Sequence, residues 1–264
     1  MKYTHGHHES VLRSHQRRTA EDSAAYLLPH LKSGLSVLDI GCGPGTITAD
    51  LAERVAPGLV TAVDQVADVL EVARAEVERR NLANVSFTTA DVHQLEFPDG
   101  TFDVVHAHQV LQHVADPVRA LREMRRVCRP GGLVAARDAD YAGFLWFPRL
   151  AALDVWRDVY QRAARANGGE PDAGRRLLSW ALEVGFEEVT TTGSLWCYAT
   201  PADREWWGGM WADRILHSAI GRDILRLGLA TAAQLEEVSA AWRDWAAAPD
   251  GWLAIPHGEI LCRA

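Results

Sequence analysis

Through the first 140 residues, short apolar runs alternate with stretches in which apolar side chains recur every three or four positions. The runs are VLDI at 37–40, LVTAVD at 59–64, VSFTTA at 85–90, FDVVHA at 102–107 and GGLVAARD at 131–138. Between them Ile47, Leu51 and Val55 keep helical spacing, as do Val66, Leu70 and Ala73 beside Val69, Val72 and Val77. A further helix is predicted over 117–127, and Thr19 with Asp22 forms an N-cap pair for a helix running to about residue 30. Strands separated by helices of this length pair in parallel, so the pattern predicts an α/β, doubly wound sheet. Beyond Asp140 the rhythm changes. Helices are predicted over 150–167, 175–184, 202–229 and 231–247, with a sixth strand at FEEVTTTG (186–193) and a closing strand at 251–264. The expectation is a mostly parallel, seven-stranded sheet with a helical cap inserted before the last strand.

The first run breaks abruptly in SVLDIGCGPGT at 36–46. Glycines at a strand-to-helix turn adopt conformations closed to other residues and let a ligand approach the backbone. The following helix aims its amides and positive dipole end at the same place. A dinucleotide fingerprint would put its third glycine at position 46, which is Thr; Gly45 comes one place early. Asp64 ends the second run, where an acid accepts hydrogen bonds from ribose hydroxyls. A ribose-bearing ligand that is not a dinucleotide is expected. Ligands of such sheets bind at the carboxyl ends of the strands, so residues 41–45, Asp64, Asp91, His106 and Asp138 are expected to converge on one crevice.

These stretches resemble the motifs of class I S-adenosylmethionine (SAM)-dependent methyltransferases, and most of all the ubiquinone/menaquinone-biosynthesis type. VLDIGCGPGT resembles the first motif, VTAVDQV the ribose-binding second, FTTADVHQLEF the third, and FDVVHAHQVLQHVADP and RVCRPGGLVAARD the fourth and fifth strands. The resemblance implies a Rossmann-like fold, SAM as cofactor and a small-molecule methyl acceptor. It places Asp39, Gly41, Cys42, Gly43, Gly45 and Thr46 at the methionine end, Asp64 and Gln65 at the ribose, and Asp91 and Val92 at the adenine. It adds His108 and His113 to the cofactor side, and an N-terminal lid over 1–35 through which Tyr3 and Arg18 touch SAM. Residues 36–140 would be the SAM-binding core. Residues 141–264 would complete the same domain, with the cap at about 200–250.

Composition narrows the acceptor. Lys and Arg total 27 against 35 acids, a net charge of −8 that repels polyanions, so no nucleic-acid partner is expected. The Asn/Asp-Pro-Pro-aromatic signature of amino-methyltransferases is absent after the fourth strand, where the chain reads HAHQ. All ten tryptophans lie between positions 146 and 252, which separates a nucleotide-binding half from one built to bury aromatic surface. Tyr141, Trp146, Trp207, Met210 and Trp211 are the candidate acceptor contacts, although such a stripe equally suits core packing. No apolar run of about 18 residues is present, the start lacks a signal-peptide core, and four scattered cysteines (42, 128, 197, 262) lack CxxC spacing. A reduced, cytoplasmic protein with no membrane partner is expected; a homodimer is one option for its assembly. His5, His7, His8 and His15 read either as a solvated start or as part of the lid.

SAM is an activated electrophile, so the protein need only align donor and acceptor, exclude water and remove a proton where required. His106 and Asp138 are the candidate catalytic groups, with His106 ranked first as a base; a role shaping the pocket is its alternative. His113 is read as packing beneath the cofactor. A divalent site from His106, His108, Asp138 and Asp140 is conceivable from ligand chemistry, but the resemblance implies no metal. Two rival functions share the fold: SAM use without methylation, such as cyclisation, and a nicotinamide oxidoreductase. The second fails at Thr46 and lacks a Tyr-x-x-x-Lys pair, since lysine occurs only at 2 and 32.

Overall fold

The computed structural model describes residues 17–264. Tyr3 and the histidines at 5, 7, 8 and 15 lie outside the described residues. The chain runs β1 (Val37–Ile40), α1 (Thr46–Val55), β2 (Val60–Asp64), α2 (Ala67–Arg79), β3 (Val85–Thr89), β4 (Phe102–His108), α3 (Pro117–Val127) and β5 (Cys128–Ala139). It continues with β6 (Leu145–Phe147), α4 (Ala151–Ala166), α5 (Leu177–Val184), β7 (Val189–Tyr198), α6 (Pro201–His217), α7 (Ala219–Arg226), α8 (Ala232–Ala247) and β8 (Trp252–Arg263).

β3, β2, β1, β4 and β5 pair in parallel in that order, and β8 joins β5 antiparallel. Ala254 of β8 pairs with both Leu145 of β6 and Cys197 of β7, so those two strands lie on opposite edges of β8. The expected seven strands are therefore present, and the three-residue β6 adds an eighth past the end of β5. Sequence reading missed it because three residues carry too little alternation to be seen.

Local signals fix most of the helices. Asp116 caps α3 by accepting from the amide of Arg119, with Pro117 in the first turn. Thr200 caps α6 in the same manner, and Thr231 with Gln234 forms a capping box on α8. Two expected helices are shorter. Thr19 and Asp22 do form a capping box, but only Ala20–Ser23 is helical before a 3-10 turn at Leu28–His30. Pro29 offers no amide and disfavours the helical conformation at Leu28. The stretch expected as one helix from 202 to 229 breaks at Ser218, and Ile220 and Ile224 of α7 then join the cap core.

One apolar core lies between the sheet and α3 and α5, built on Leu38, Val105, Leu121 and Trp180. A second, on the opposite face, packs Val37, Val104 and Ala135 against α1. The third is the cap, where Trp156, Trp211, Trp242 and Trp245 are fully buried and meet largely edge to face. No helix among the described residues is long and apolar enough to cross a membrane.

Candidate active site

A cavity of about 720 Å³ opens where the carboxyl ends of β1, β2 and β4 meet the cap. That is toward the upper end of ligand pockets, which run roughly 300–1,000 Å³. Its floor at one end is the turn after β1. Gly41 and Gly43 have φ of +67° and +54°, and a Cβ on Gly41 would sit 2.5 Å from Val110 Cγ2. The turn is thus restricted to glycine by conformation and by space. Asp64, at the end of β2, accepts from the amides of Gly43 and Val66, both at 3.1 Å. These amides orient the carboxylate at the cavity edge, which Asp64 lines. Asp91 is held by the amide of His93, which lowers its pKa, and Val92 lies beside it on the cavity wall.

Arg18, Asp39, Cys42, Thr46, Gln65, His108 and His113 also line the cavity, so the expected cofactor residues among the described residues gather there, with one exception. Gly45 does not. A Cβ on it would meet Ala73 at 2.8 Å, so its positive φ of +82° serves the close packing of α1 on α2. Burial, and secondarily Arg18, lower the His113 pKa to about 3, so it is neutral. Burial pushes the Cys42 thiol far up, which makes it unreactive.

The catalytic expectations need correction. His106 is fully buried and does not reach the cavity. It stands opposite Asp39 in the β1–β4 register and its Nδ1 donates to Asp39 Oδ1 at 2.8 Å, while Thr48 donates to Oδ2 at 2.6 Å. These two hydrogen bonds hold the Asp39 carboxyl beneath the turn. Asp138 is likewise buried away from the cavity, accepting from the Gln112 amide at 3.0 Å. Burial raises its pKa to about 7. Asp140 is tied to Arg175, and among the described residues no group of His, Cys, Asp or Glu is arranged to hold a metal.

At the other end the walls are aromatic. Tyr141, Trp207, Met210 and Trp211 line the cavity as expected, while Trp146 packs in the cap against Trp156 and Arg157. Trp206, on the same helical stripe, lines the cavity too; sequence reading missed Phe144, Trp196 and Tyr198. Trp196 is central to this wall: its Nε1 donates to the Asp22 carbonyl and its ring lies under Arg18 and Arg137. The alternation Ser194, Trp196, Tyr198 was the available signal, but the expected strand stopped at Gly193. Gln109 was also missed. Its φ of +53° turns the side chain to accept from Arg18 at 2.7 Å and to donate to His257 Nε2 at 2.9 Å, joining the N-terminal segment to β8.

A family model described as a methyltransferase domain matches residues 31–170. The chain belongs to the class I SAM-dependent methyltransferases. An uncharacterized methyltransferase of Schizosaccharomyces pombe is 33% identical over 98% of this chain and 95% of its own length. The ubiquinone/menaquinone biosynthesis C-methyltransferase of Bdellovibrio bacteriovorus is 41% identical, but over only 39% of this chain and 43% of its own. Likeness to that type is therefore partial. Among solved structures, the YcgJ protein of Bacillus subtilis superposes with a TM-score of 0.59 at 18% identity, covering 90% of this chain and 97% of that one. The [4+2]-cyclase SpnF superposes at 0.53 and 21%, covering 94% and 79%. Both likenesses concern the fold. As a SAM-dependent methyltransferase the chain takes SAM as cofactor, and the nicotinamide alternative falls away.

Proposed function

We propose that this methyltransferase moves the SAM methyl group to a small aromatic or hydrophobic metabolite. The observation that carries the reading is the single cavity with two unlike ends: a glycine turn and carboxylates at one, and an aromatic wall at the other. The first end fits the cofactor. The turn at Gly41 and Gly43 would receive the methionine part, Asp64 the ribose hydroxyls, and Asp91 and Val92 the adenine, with Gln65, His113 and Arg18 around them. SAM brings a sulfonium-bound methyl group, so the chain's own task is to orient an acceptor and keep water out. Trp196, Tyr198, Trp207 and Tyr141 suit a flat apolar acceptor, since aromatic walls give large contact area at low entropic cost. The acidic net charge supports a small molecule over a nucleic acid.

The test is transfer of label from methyl-labelled SAM across a panel of phenols, prenylated aromatics and short oligonucleotides. Labelled products from aromatic compounds alone are expected. Labelled oligonucleotide would overturn the acceptor class. SAM binding with no transfer to any compound would point to a non-methylating use of the cavity, such as cyclisation.

A further inference from the structure

β7 is an outer strand of the sheet. Its ten residues, Val189–Tyr198, pair with β8 alone among the described residues, and none of the ten is buried. The sequence VTTTGSLWCY holds no charged residue and no proline, two devices that guard exposed edges against pairing with another chain. The opposite edge differs. β3 has only five residues, and there Arg74 donates to the Phe87 carbonyl and lies over the Phe87 ring. We infer that two copies of this chain associate through β7, each strand pairing antiparallel with its mate across a two-fold axis and joining the two sheets into one.

An edge strand presents a row of unpaired N–H and C=O groups, and a second β7 offers the same groups in reverse order. Antiparallel pairing of identical strands is therefore self-complementary, as a two-fold interface requires. It also keeps Glu187 and Glu188, the acids before the strand, at opposite ends of the contact from those of the other copy. A bilayer does not fit this edge, because lipid would leave the outer backbone groups unpaired.

Side chains favour the same arrangement. Val189 and Thr191 pair with Cys262 and Ile260, which pack in one core with Leu177 and Trp180 of α5. Leu195 and Cys197 alternate onto that same face, but the helix does not reach them: Leu195 is 63% exposed and Cys197 is exposed too. α5 in turn leaves Leu178 and Leu182, one turn apart, 39% and 58% exposed. The two-fold sets the bare second half of each strand beside the helix-bearing first half of the other, so Leu195 and Cys197 gain the other copy's α5 as cover. Ten residues give a seam roughly 34 Å long. With a breadth of roughly 20 Å, strand plus helix, the contact approaches the about 800 Å² per partner of a standard interface. The seam follows the strand that carries Trp196 and Tyr198 of the cavity wall.

Sedimentation velocity of the full chain at concentrations up to about 100 μM tests the association, and a dimer with a dissociation constant at or below about 10 μM is expected. Thr191→Lys puts a charge in mid-seam and Leu182→Glu puts one on α5; each should weaken the dimer at least about tenfold. Leu59→Glu, at an equally exposed leucine just before β2, should leave it unchanged. Binding of S-adenosylhomocysteine reports that each variant is folded. Hydrogen exchange on the unaltered chain needs no variant: amides of residues 189–198 should exchange more slowly where the dimer is populated than after dilution, with those of β3 unchanged. A monomer at every concentration overturns the inference. So does a dimer that survives Thr191→Lys or Leu182→Glu, or one whose β7 amides exchange as fast as the monomer's.

Discussion

At the level of single residues, the site separates groups that line the cavity from groups buried behind its wall. Asp64 was legible from the sequence because a carboxylate ending the second strand can point only toward the crevice. His106 was not: it lies one pleat short of the strand end, and only the register with Asp39 shows that it is spent on a buried hydrogen bond. Asp138 carries a consequence of its burial. Its folded pKa of about 7 lies above the unfolded carboxylate value, so the native chain binds more protons between about pH 4 and pH 7. Its contribution is full below about pH 4 and is lost as pH rises through 7, a difference on the order of 4 kcal/mol. Asp138→Asn keeps a carbonyl oxygen for the Gln112 amide and removes the titration. Urea midpoints of the two proteins from pH 4 to pH 8 should diverge in favour of the variant as pH rises; parallel curves would contradict the burial argument.

Among the elements, the parallel strands were legible because each is a continuous apolar run bracketed by helical periodicity, and α3 matches its expected 117–127 bounds. What escaped was set by tertiary contact. β7 runs past Gly193 because β8 offers a partner as far as Tyr198, and α6 ends at His217 because α7 turns into the cap. The cap itself depends on close approach of α6 to α8. A Cβ on Gly208 would lie 2.6 Å from the Trp242 carbonyl oxygen and 2.8 Å from Ala246 Cβ. Gly208→Val should force the helices apart and lower stability by about 1–3 kcal/mol. Since α6 carries Trp207, Met210 and Trp211, affinity for an aromatic acceptor should fall while affinity for SAM stays within twofold. Equal loss of both would mean that the two ends of the cavity are not separable, and paired calorimetric titrations distinguish these outcomes.

For the whole molecule, the division seen in composition reappears as architecture. The tryptophan-free first 145 residues supply the glycine turn and its carboxylates, and the remainder supplies most of the aromatic wall, to which Tyr141 and Phe144 also contribute. The family match follows the first part and continues to residue 170, whereas the wall comes mainly from the cap and β7, beyond it. That division explains why the motifs point to one end of the cavity, whereas at the other end Tyr141, Trp207, Met210 and Trp211 were legible from the sequence but Trp196 and Tyr198 were not. A wall of tryptophans is specified by shape, and shape is settled only when α6, β7 and the N-terminal segment meet. The central claim is that the glycine turn and Asp64 form a SAM seat at one end of this shared cavity. It is tested most directly by calorimetric titration of the protein with S-adenosylhomocysteine and with NADH, each repeated on Asp64→Ala. Saturable binding of S-adenosylhomocysteine, weakened at least tenfold in Asp64→Ala, with no heat from NADH, is the predicted result. Unchanged binding in the variant, or binding of NADH in preference, would contradict it.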